Sequence, residues 1–344
     1  VEGAAQVKER VGLDGRMTRQ MSVGMKTYAR ELIARLPKVA PELDFSFFER
    51  GANFGYDEQI RLPLDMQRSQ LDLMHFMSLY VPLIATAPSV ITIHDLIHLR
   101  YPQYFKSKVR SYYATVVRLA CARAKRVITD DERTVDDLER FLRVDRKKVR
   151  VIPLGVGEAF FASVPGPQTA RPYLFYVGNH RKHKNLPVLF DAWSALPEDV
   201  AVDLYLTGHD DFEGELQRRK RANREIVALG DLSEAELIGT YAGARALLQP
   251  ALSEGFGLPM LEAMAAGCPV IACADAVPRV LEPAALTFPS GDASALTLRI
   301  LSVLGDDGLR SGLIAHGRSL AANLTWDRCA RVTADLYHEV LERP

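Results

Sequence analysis

Residues Ser253–Cys273 read SEGFGLPMLEAMAAGCPVIAC. Pro259 suits the first turn of a helix, and Gly267 ahead of Pro269 suits its end, so the spacing predicts a short helix between them. One apolar run, ALLQP, precedes this segment and another, PVIAC, closes it. Strand, helix and strand in that order make a unit whose strands lie parallel. Between Gly255 and Ala274 the only charged residue is Glu262, about one turn inside the helix among Leu258, Leu261, Ala265 and Ala266. A carboxylate buried without donors is costly, so Glu262 needs backbone N–H groups, an arginine from elsewhere, or the hydroxyls of a ligand. Glu254 stands just before the Gly255-Phe256-Gly257 turn, which presents backbone N–H groups at the helix N-terminus, a place that favours anions.

The same rhythm extends in both directions. YLFYVG, a helix from Asn185 to Leu196, VDLYLTG and EIVALG precede the opening segment. Beyond the Pro/Gly-rich joint SVPGPQTARP lie strands at Arg10–Leu13, Leu73–Phe76, Val90–His94, Val127–Thr129 and Val149–Ile152, with an amphipathic helix at Gly24–Leu36. This alternation predicts an α/β protein of two parallel-sheet domains, 1–164 and 165–325, in a chain about twice the usual domain length. Ligands of such sheets bind beyond the carboxyl ends of the strands, and two sheets facing each other would form a cleft there.

Composition narrows the class. Basic and acidic residues balance at 43 each, which speaks against bulk nucleic-acid binding. The balance hides an asymmetry: residues 1–165 hold 26 basic and 20 acidic residues, against 17 and 23 in the remainder. That fits two domains with different partners. Four cysteines without a CxxC spacing read as buried or spare thiols of a reducing, cytoplasmic setting, and the VEGAAQVKER start has no apolar signal-like core. Leu73–Ile93 carries no Asp, Glu, Lys or Arg, yet Pro82 and Pro88 interrupt it, so it reads as buried strands around a loop. Lys106–Arg126 holds seven basic residues, no acidic one and interleaved apolar residues. Two readings stand side by side: a helix packed on the sheet with a solvated basic face, or a segment lying on an anionic membrane.

Two further candidates sit just after strands. HRKHK, residues 180–184, places five potentially cationic residues at a strand end, as a solvated turn or as a seat for a diphosphate. His94-Asp95 ends the strand VITI; the His94-x3-His98 spacing lacks a third ligand for a metal.

SEGFGLPMLEAMAAGCPVIA resembles the E-x7-E signature of glycosyltransferase family 4. The resemblance extends to YVGNHRKHKNL, ALGDLSEAELIGTYAGARALLQPAL, ITIHDLIHLRYP and TWDRCARVTADLY, in order over most of the chain. It implies the GT-B fold of two Rossmann-like domains, an acceptor-binding one at 1–164 joined by 326–344 and a nucleotide-sugar-binding one at 165–325, hinged near Ser163–Pro172. It further implies that Glu254 meets hydroxyls of the donor sugar, beside the amides of Phe256 and Gly257. Glu262 would take the ribose, and the Gly257 and Leu258 amides the diphosphate. Gly230 and Leu232 would line the base pocket through their backbones. Lys184 matches the family's diphosphate lysine; Arg181 is taken as its companion, with His183 as the substitute. His94 would lie over the donor sugar or the acceptor, and Gly24 would let the first loop approach the diphosphate. Departures are Lys26 for a second glycine, Asp131-Glu132 for Ser-Glu, and Pro278-Arg279 for Pro-Glu.

The implied activity is transfer of a hexose from a nucleotide diphosphate sugar, with retention, to a glycan or lipid-linked hydroxyl, as in mannosyltransferases using GDP-mannose. No metal or other cofactor is expected, and a GDP-sugar is favoured over a UDP-sugar. The implied setting is cytoplasmic, with peripheral membrane contact through 106–126. The rival expectation is a non-catalytic sugar-nucleotide or glycan-binding module on the same fold.

Overall fold

Alternating strands and helices build two all-parallel, six-stranded sheets. The computed structural model describes residues 8–20, 22–53, 55–208, 214 and 218–342. The first sheet contains β1 (Arg10–Leu13), β2 (Asp44–Phe47), β3 (Leu73–Phe76), β4 (Ser89–Thr92), β5 (Arg126–Thr129) and β6 (Val149–Val151), in the order β2-β1-β3-β4-β5-β6. The second contains β7 (Tyr173–Tyr176), β8 (Asp203–Leu206), β9 (Ile226–Ala228), β10 (Leu247–Gln249), β11 (Val270–Cys273) and β12 (Ala285–Phe288), in the order β12-β11-β10-β7-β8-β9.

Strands β3, β4, β7 and β11 are buried at every position, as expected for parallel strands covered on both faces. The uncharged run Leu73–Ile93 is thus β3, β4 and their connection. Among the described residues no helix is long and apolar enough to cross a membrane. β2 and β12, which the hydrophobic pattern does not announce, lie at sheet edges, where half their positions or more stay partly exposed.

In the first unit, α1 (Val23–Val39) buries Tyr28, Ala29, Leu32 and Leu36, the stripe of a helix lying on a sheet. The basic segment is helical from Ser107 to Arg123. Its Tyr113, Val117, Ala120 and Cys121 enter the core with Phe76, Ile91 and Val127. Lys106, Lys108, Arg110, Arg118, Arg123 and Lys125 remain exposed. α2 (Glu132–Asp137) follows β5.

The second unit holds α3 (Leu186–Ser194), α4 (Glu234–Gly243) and α5 (Leu258–Ala266). Trp193 anchors its core among Leu189, Leu204 and Ile300, with its indole N–H donated to the Val202 carbonyl at 3.0 Å. Finally, α6 (Trp326–Leu341) packs on α1 and pairs Asp327 with Arg35 at 2.7 Å and Glu339 with Arg126 at 2.6 Å.

The contacts divide the chain after Gly155 and again before Trp326, so α6 belongs with the first sheet and Val156–Thr325 forms the other unit. Residues 156–164, expected on the first side of the joint, pack with the second unit. Phe160 lies 6.4 Å from the Tyr241 ring, and Arg318 donates to the Phe161 carbonyl at 3.2 Å. The following Pro165-Gly166 backbone runs so close to α4 that a Cβ on Gly239 would stand 2.6 Å from the Pro165 carbonyl oxygen. All four cysteines are free and buried.

Candidate functional site

Strands β7 and β10 are neighbours in the sheet, so the loops leaving their carboxyl ends run side by side. The Leu252 N–H donates to the His183 carbonyl at 2.8 Å. Beside that bond the Lys184 ammonium donates to both carboxylate oxygens of Glu254, at 2.6 and 2.7 Å. Their side chains are only 13% and 10% exposed, which makes this a charge pair held largely out of water. Residues 70 positions apart thus meet because the sheet order places their strands together.

The HRKHK stretch separates into distinct environments. A 3₁₀ turn at Lys182–Lys184 and the left-handed Asn185, φ 56°, swing the chain into α3. This aims Lys184 at Glu254 and buries His183. Arg181 and Lys182 stay exposed. His180 lies against the end of β8, its Nε2 2.8 Å from the carbonyl of Thr207, the next residue.

α5 opens and closes as the spacing predicts. Gly257, φ 71°, precedes it, Pro259 occupies its first turn and Gly267, φ 79°, ends it. In its first turn Pro259 has no N–H, and Met260 and Leu261 donate to the Gly257 carbonyl at 2.9 and 3.4 Å, which leaves the Leu258 amide at the Glu254 end outside the helix's own ladder. Phe256 is buried, and a Cβ on Gly257 would stand 2.2 Å from Cε of Met260.

One turn into α5, the Glu262 carboxylate accepts a hydrogen bond from the Tyr241 hydroxyl of α4 at 3.0 Å. The donor is thus a tyrosine hydroxyl in place of a backbone N–H or an arginine, and Tyr241 escaped the sequence reading; as an apolar-face residue of a regular helix it carries no local sign of a polar task. Burial pushes the Glu262 carboxyl up to about 7, against the opposing pull of the Tyr241 hydrogen bond. At the far side of the sheet Gly230, φ 69°, follows β9, and its carbonyl accepts from the Gly208 N–H at 3.0 Å; Leu232 is half-buried.

In the first unit His94 follows β4, with Nδ1 2.6 Å from Oδ2 of Asp130 and its ring edge-on to Tyr28 at 4.7 Å. Asp130 was not among the residues singled out by sequence. Asp95 accepts from the Ile97 N–H at 3.0 Å, and Asp131 caps α2 by accepting from the Arg133 N–H at 2.8 Å. Aspartate is as good an N-cap as serine, so the Asp131-Glu132 departure keeps that local structure. His98 turns to the Tyr113 hydroxyl, 3.2 Å from its Nδ1, and to Phe105. The His94-x3-His98 spacing therefore does not converge, and among the described residues no group of three or more His, Cys, Asp and Glu could hold a metal ion. Gly24 lies in the first turn of α1, not in a loop, and is half-buried.

Residues 25–159 match the family model described as Glycosyltransferase Family 4, and residues 171–306 that described as glycosyl transferases group 1. The chain is a GT-B glycosyltransferase related to family 4. As an enzyme of this class it moves a sugar from a nucleotide-sugar donor to an acceptor hydroxyl. The glycosyltransferase is 29% identical over 267 residues to O-antigen chain mannosyltransferase B of Escherichia coli, covering 72% of this chain and 70% of the relative. It is 30% identical over 187 residues to O-antigen chain mannosyltransferase RfbU of Salmonella typhimurium, covering 53% of this chain and 50% of that one. The GT-B fold is shared with sucrose-phosphate synthase of Thermosynechococcus elongatus at TM-score 0.76 and 19% identity, over 98% of this chain and 100% of that one.

Proposed function

We propose that the glycosyltransferase transfers mannose from GDP-mannose, with retained configuration, to a hydroxyl of a glycan or lipid-linked acceptor. The observation that carries the reading is the Lys184–Glu254 pair at the N-terminal mouth of α5. A cation, a carboxylate and a helix N-terminus together suit a sugar diphosphate: the carboxylate takes sugar hydroxyls, while the ammonium and the amides at the mouth take phosphate. Arg181 and the Gly257 and Leu258 amides assist there, Phe256 supports the turn, Glu262 takes the ribose, and Gly230 and Leu232 face the base. In the first unit His94 contacts the sugar or the acceptor, and Gly24 the phosphate side. The leaving phosphate, neutralised by Lys184, accepts the acceptor's proton. The mannose and GDP assignment rests on the mannosyltransferases to which the chain is similar.

The decisive assay incubates the enzyme with GDP-, UDP- and ADP-sugars and measures nucleoside diphosphate release with and without glycan acceptors. Release from GDP-mannose above all others is expected; equal or greater release from a UDP- or ADP-sugar would overturn the donor assignment, and inversion at the product anomeric carbon would overturn retention.

The Glu262 environment makes a pH prediction. Its folded value, about 7, lies above the ordinary unfolded carboxyl range of about 4.3. The group therefore favours the folded state at low pH, and that contribution is lost as pH rises through about 7. Ribose hydroxyls donate to the ionised form, so binding acts in the opposite sense. GDP affinity should rise with pH up to about 7, by as much as roughly tenfold per unit. Glu262→Gln should flatten the profile in titration calorimetry. A wild-type profile without slope would remove Glu262 from the ribose site.

The same reading sets the protein on the cytoplasmic membrane face. The apolar residues of the 107–123 helix are spent on the core, so attraction rests on its exposed basic residues, worth about 1 kcal/mol each near an anionic surface. Flotation with anionic liposomes at low salt, reversed at about 0.5 M salt, is the expected result. Absence of flotation at low salt would end the membrane part of the proposal.

A further inference from the structure

The described first unit contains a buried pair that neither sequence nor family resemblance singled out. Asp130 stands at the carboxyl end of β5, next to the carboxyl end of β4 that carries His94. Asp130 is 1% exposed, and one of its oxygens, Oδ2, lies 2.6 Å from His94 Nδ1. On the other edge of the ring, Nε2 is buried and, like Oδ1 of Asp130, makes no well-formed hydrogen bond among the described residues, although the Met77 backbone acts on the ring. A polar atom in that condition is an exception that needs a reason, and a bound ligand is one.

We propose that Asp130 is a positioning residue for the transfer reaction: it fixes the His94 ring with a proton on Nδ1 and, by favouring the charged ring, keeps a second proton on Nε2 to donate to a hydroxyl oxygen of the bound sugar or acceptor. The inference rests on the reading that His94 lies at the reacting sugar. An acceptor-only carboxylate on Nδ1 admits one arrangement, N–H toward Asp130, so the state of Nε2 decides what the ring can do. With the ring charged, Nε2 also carries a proton and becomes a donor.

The surroundings support that charge state. Burial opposes it, while the charge and hydrogen bond of Asp130, the nearby Asp95 and the Met77 backbone favour it, and the balance raises His94 above the ordinary histidine value. Burial and the neighbouring Asp95 and Asp131 also raise Asp130, against the pull of His94. The remaining titratable groups are Tyr28 of α1, edge-on to the ring, His75 of β3, and Cys329 of α6, which faces Asp130. Burial keeps Tyr28 and Cys329 protonated and drives His75 down to about 3, so none of them changes charge near neutrality. Asp130 is thus the partner that sets the ring's charge. The sheet holds the pair rigidly: Ile93 N–H donates to the Ile128 carbonyl at 2.9 Å, tying the two strand ends together just before both side chains.

The test begins with the unaltered protein. Nitrogen-15 spectra of the imidazoles, with the His94 signals assigned by their absence in His94→Gln, should show Nδ1 protonated and a titration above the ordinary value. An Nε2-only tautomer, or a value at or below the ordinary one, overturns the proposal without any Asp130 variant. Asp130→Asn, which preserves shape, should then lower the His94 value by about 1–3 units. Removal of the charged form should shift the alkaline limb of kcat/KM down by the same interval, a loss of about tenfold per unit when assayed above it. Asp130→Glu should restore part of that limb. A purely structural Asp130 would lower activity equally at every pH, and that result overturns the positioning role. Should His94→Gln transfer sugar like the wild type, the placing of His94 at the reaction fails instead; the two failures are therefore distinguishable.

Discussion

Lys184→Ala should lower kcat/KM for nucleotide-sugar turnover by about 10²–10³-fold, the range seen when one preorganised charge-stabilising donor is removed from a transition state. Glu254→Ala should fall similarly. The difficulty is that each side chain is also the other's main partner, at 2.6 and 2.7 Å and mostly out of water. Removing one leaves the other a poorly solvated charge, a change that costs about 3–5 kcal/mol for a fully buried pair and less at this exposure. A single-variant loss could therefore reflect a damaged loop instead of a missing contact to substrate.

The Lys184→Ala/Glu254→Ala double variant separates the two. If the pair were only a structural clasp joining the loops after β7 and β10, removing both charges would restore stability and activity together. With the proposed roles, thermal stability recovers while activity remains as low as in the worse single variant. Double-variant turnover at the wild-type rate would sink the site assignment.

Gly257→Ala should be the next most damaging change, and for a backbone reason. The residue has φ 71°, where a non-glycine residue costs about 1–2 kcal/mol. The added Cβ would also press on the terminal methyl of Met260, the far end of a flexible though buried side chain that can shift at modest cost. The dihedral alone is an appreciable part of a typical stability of about 5–15 kcal/mol. Relief by either route would turn the first amides of α5 away from the Glu254 mouth, so binding of nucleoside diphosphate should weaken along with thermal stability. Adding Met260→Ala removes the steric conflict but leaves the dihedral cost, so Gly257→Ala/Met260→Ala should recover part of the affinity relative to Gly257→Ala. Full affinity in Gly257→Ala, measured by calorimetry, would show that this turn does not present the amides to the ligand.

Much of the architecture was legible from residue order. Pro259 and Gly267 bracket α5 because their backbone preferences act locally, within a turn of where they stand. Fully buried strands such as YLFY and VIAC were legible because both faces of a parallel sheet are covered. DFSF and ALTF, β2 and β12, were not: at an edge the burial contrast that betrays a strand is weak. The joint was placed late because Phe160 and the close approach at Gly239 are tertiary contacts.

The site divides along the same line. Sequence alone determined which residue types stand at strand ends, that Glu262 required a donor, and that glycines frame the turn before α5, since these follow from local geometry and the cost of burying charge. It could not choose among the cations of HRKHK, because one 3₁₀ turn and a left-handed Asn185 decide which of them meets Glu254. Nor could it supply Tyr241 for Glu262 or Asp130 for His94. Those partners lie 21 and 36 positions away, on neighbouring helices and strands, and only the packing of those elements brings a donor to within about 3 Å of its acceptor.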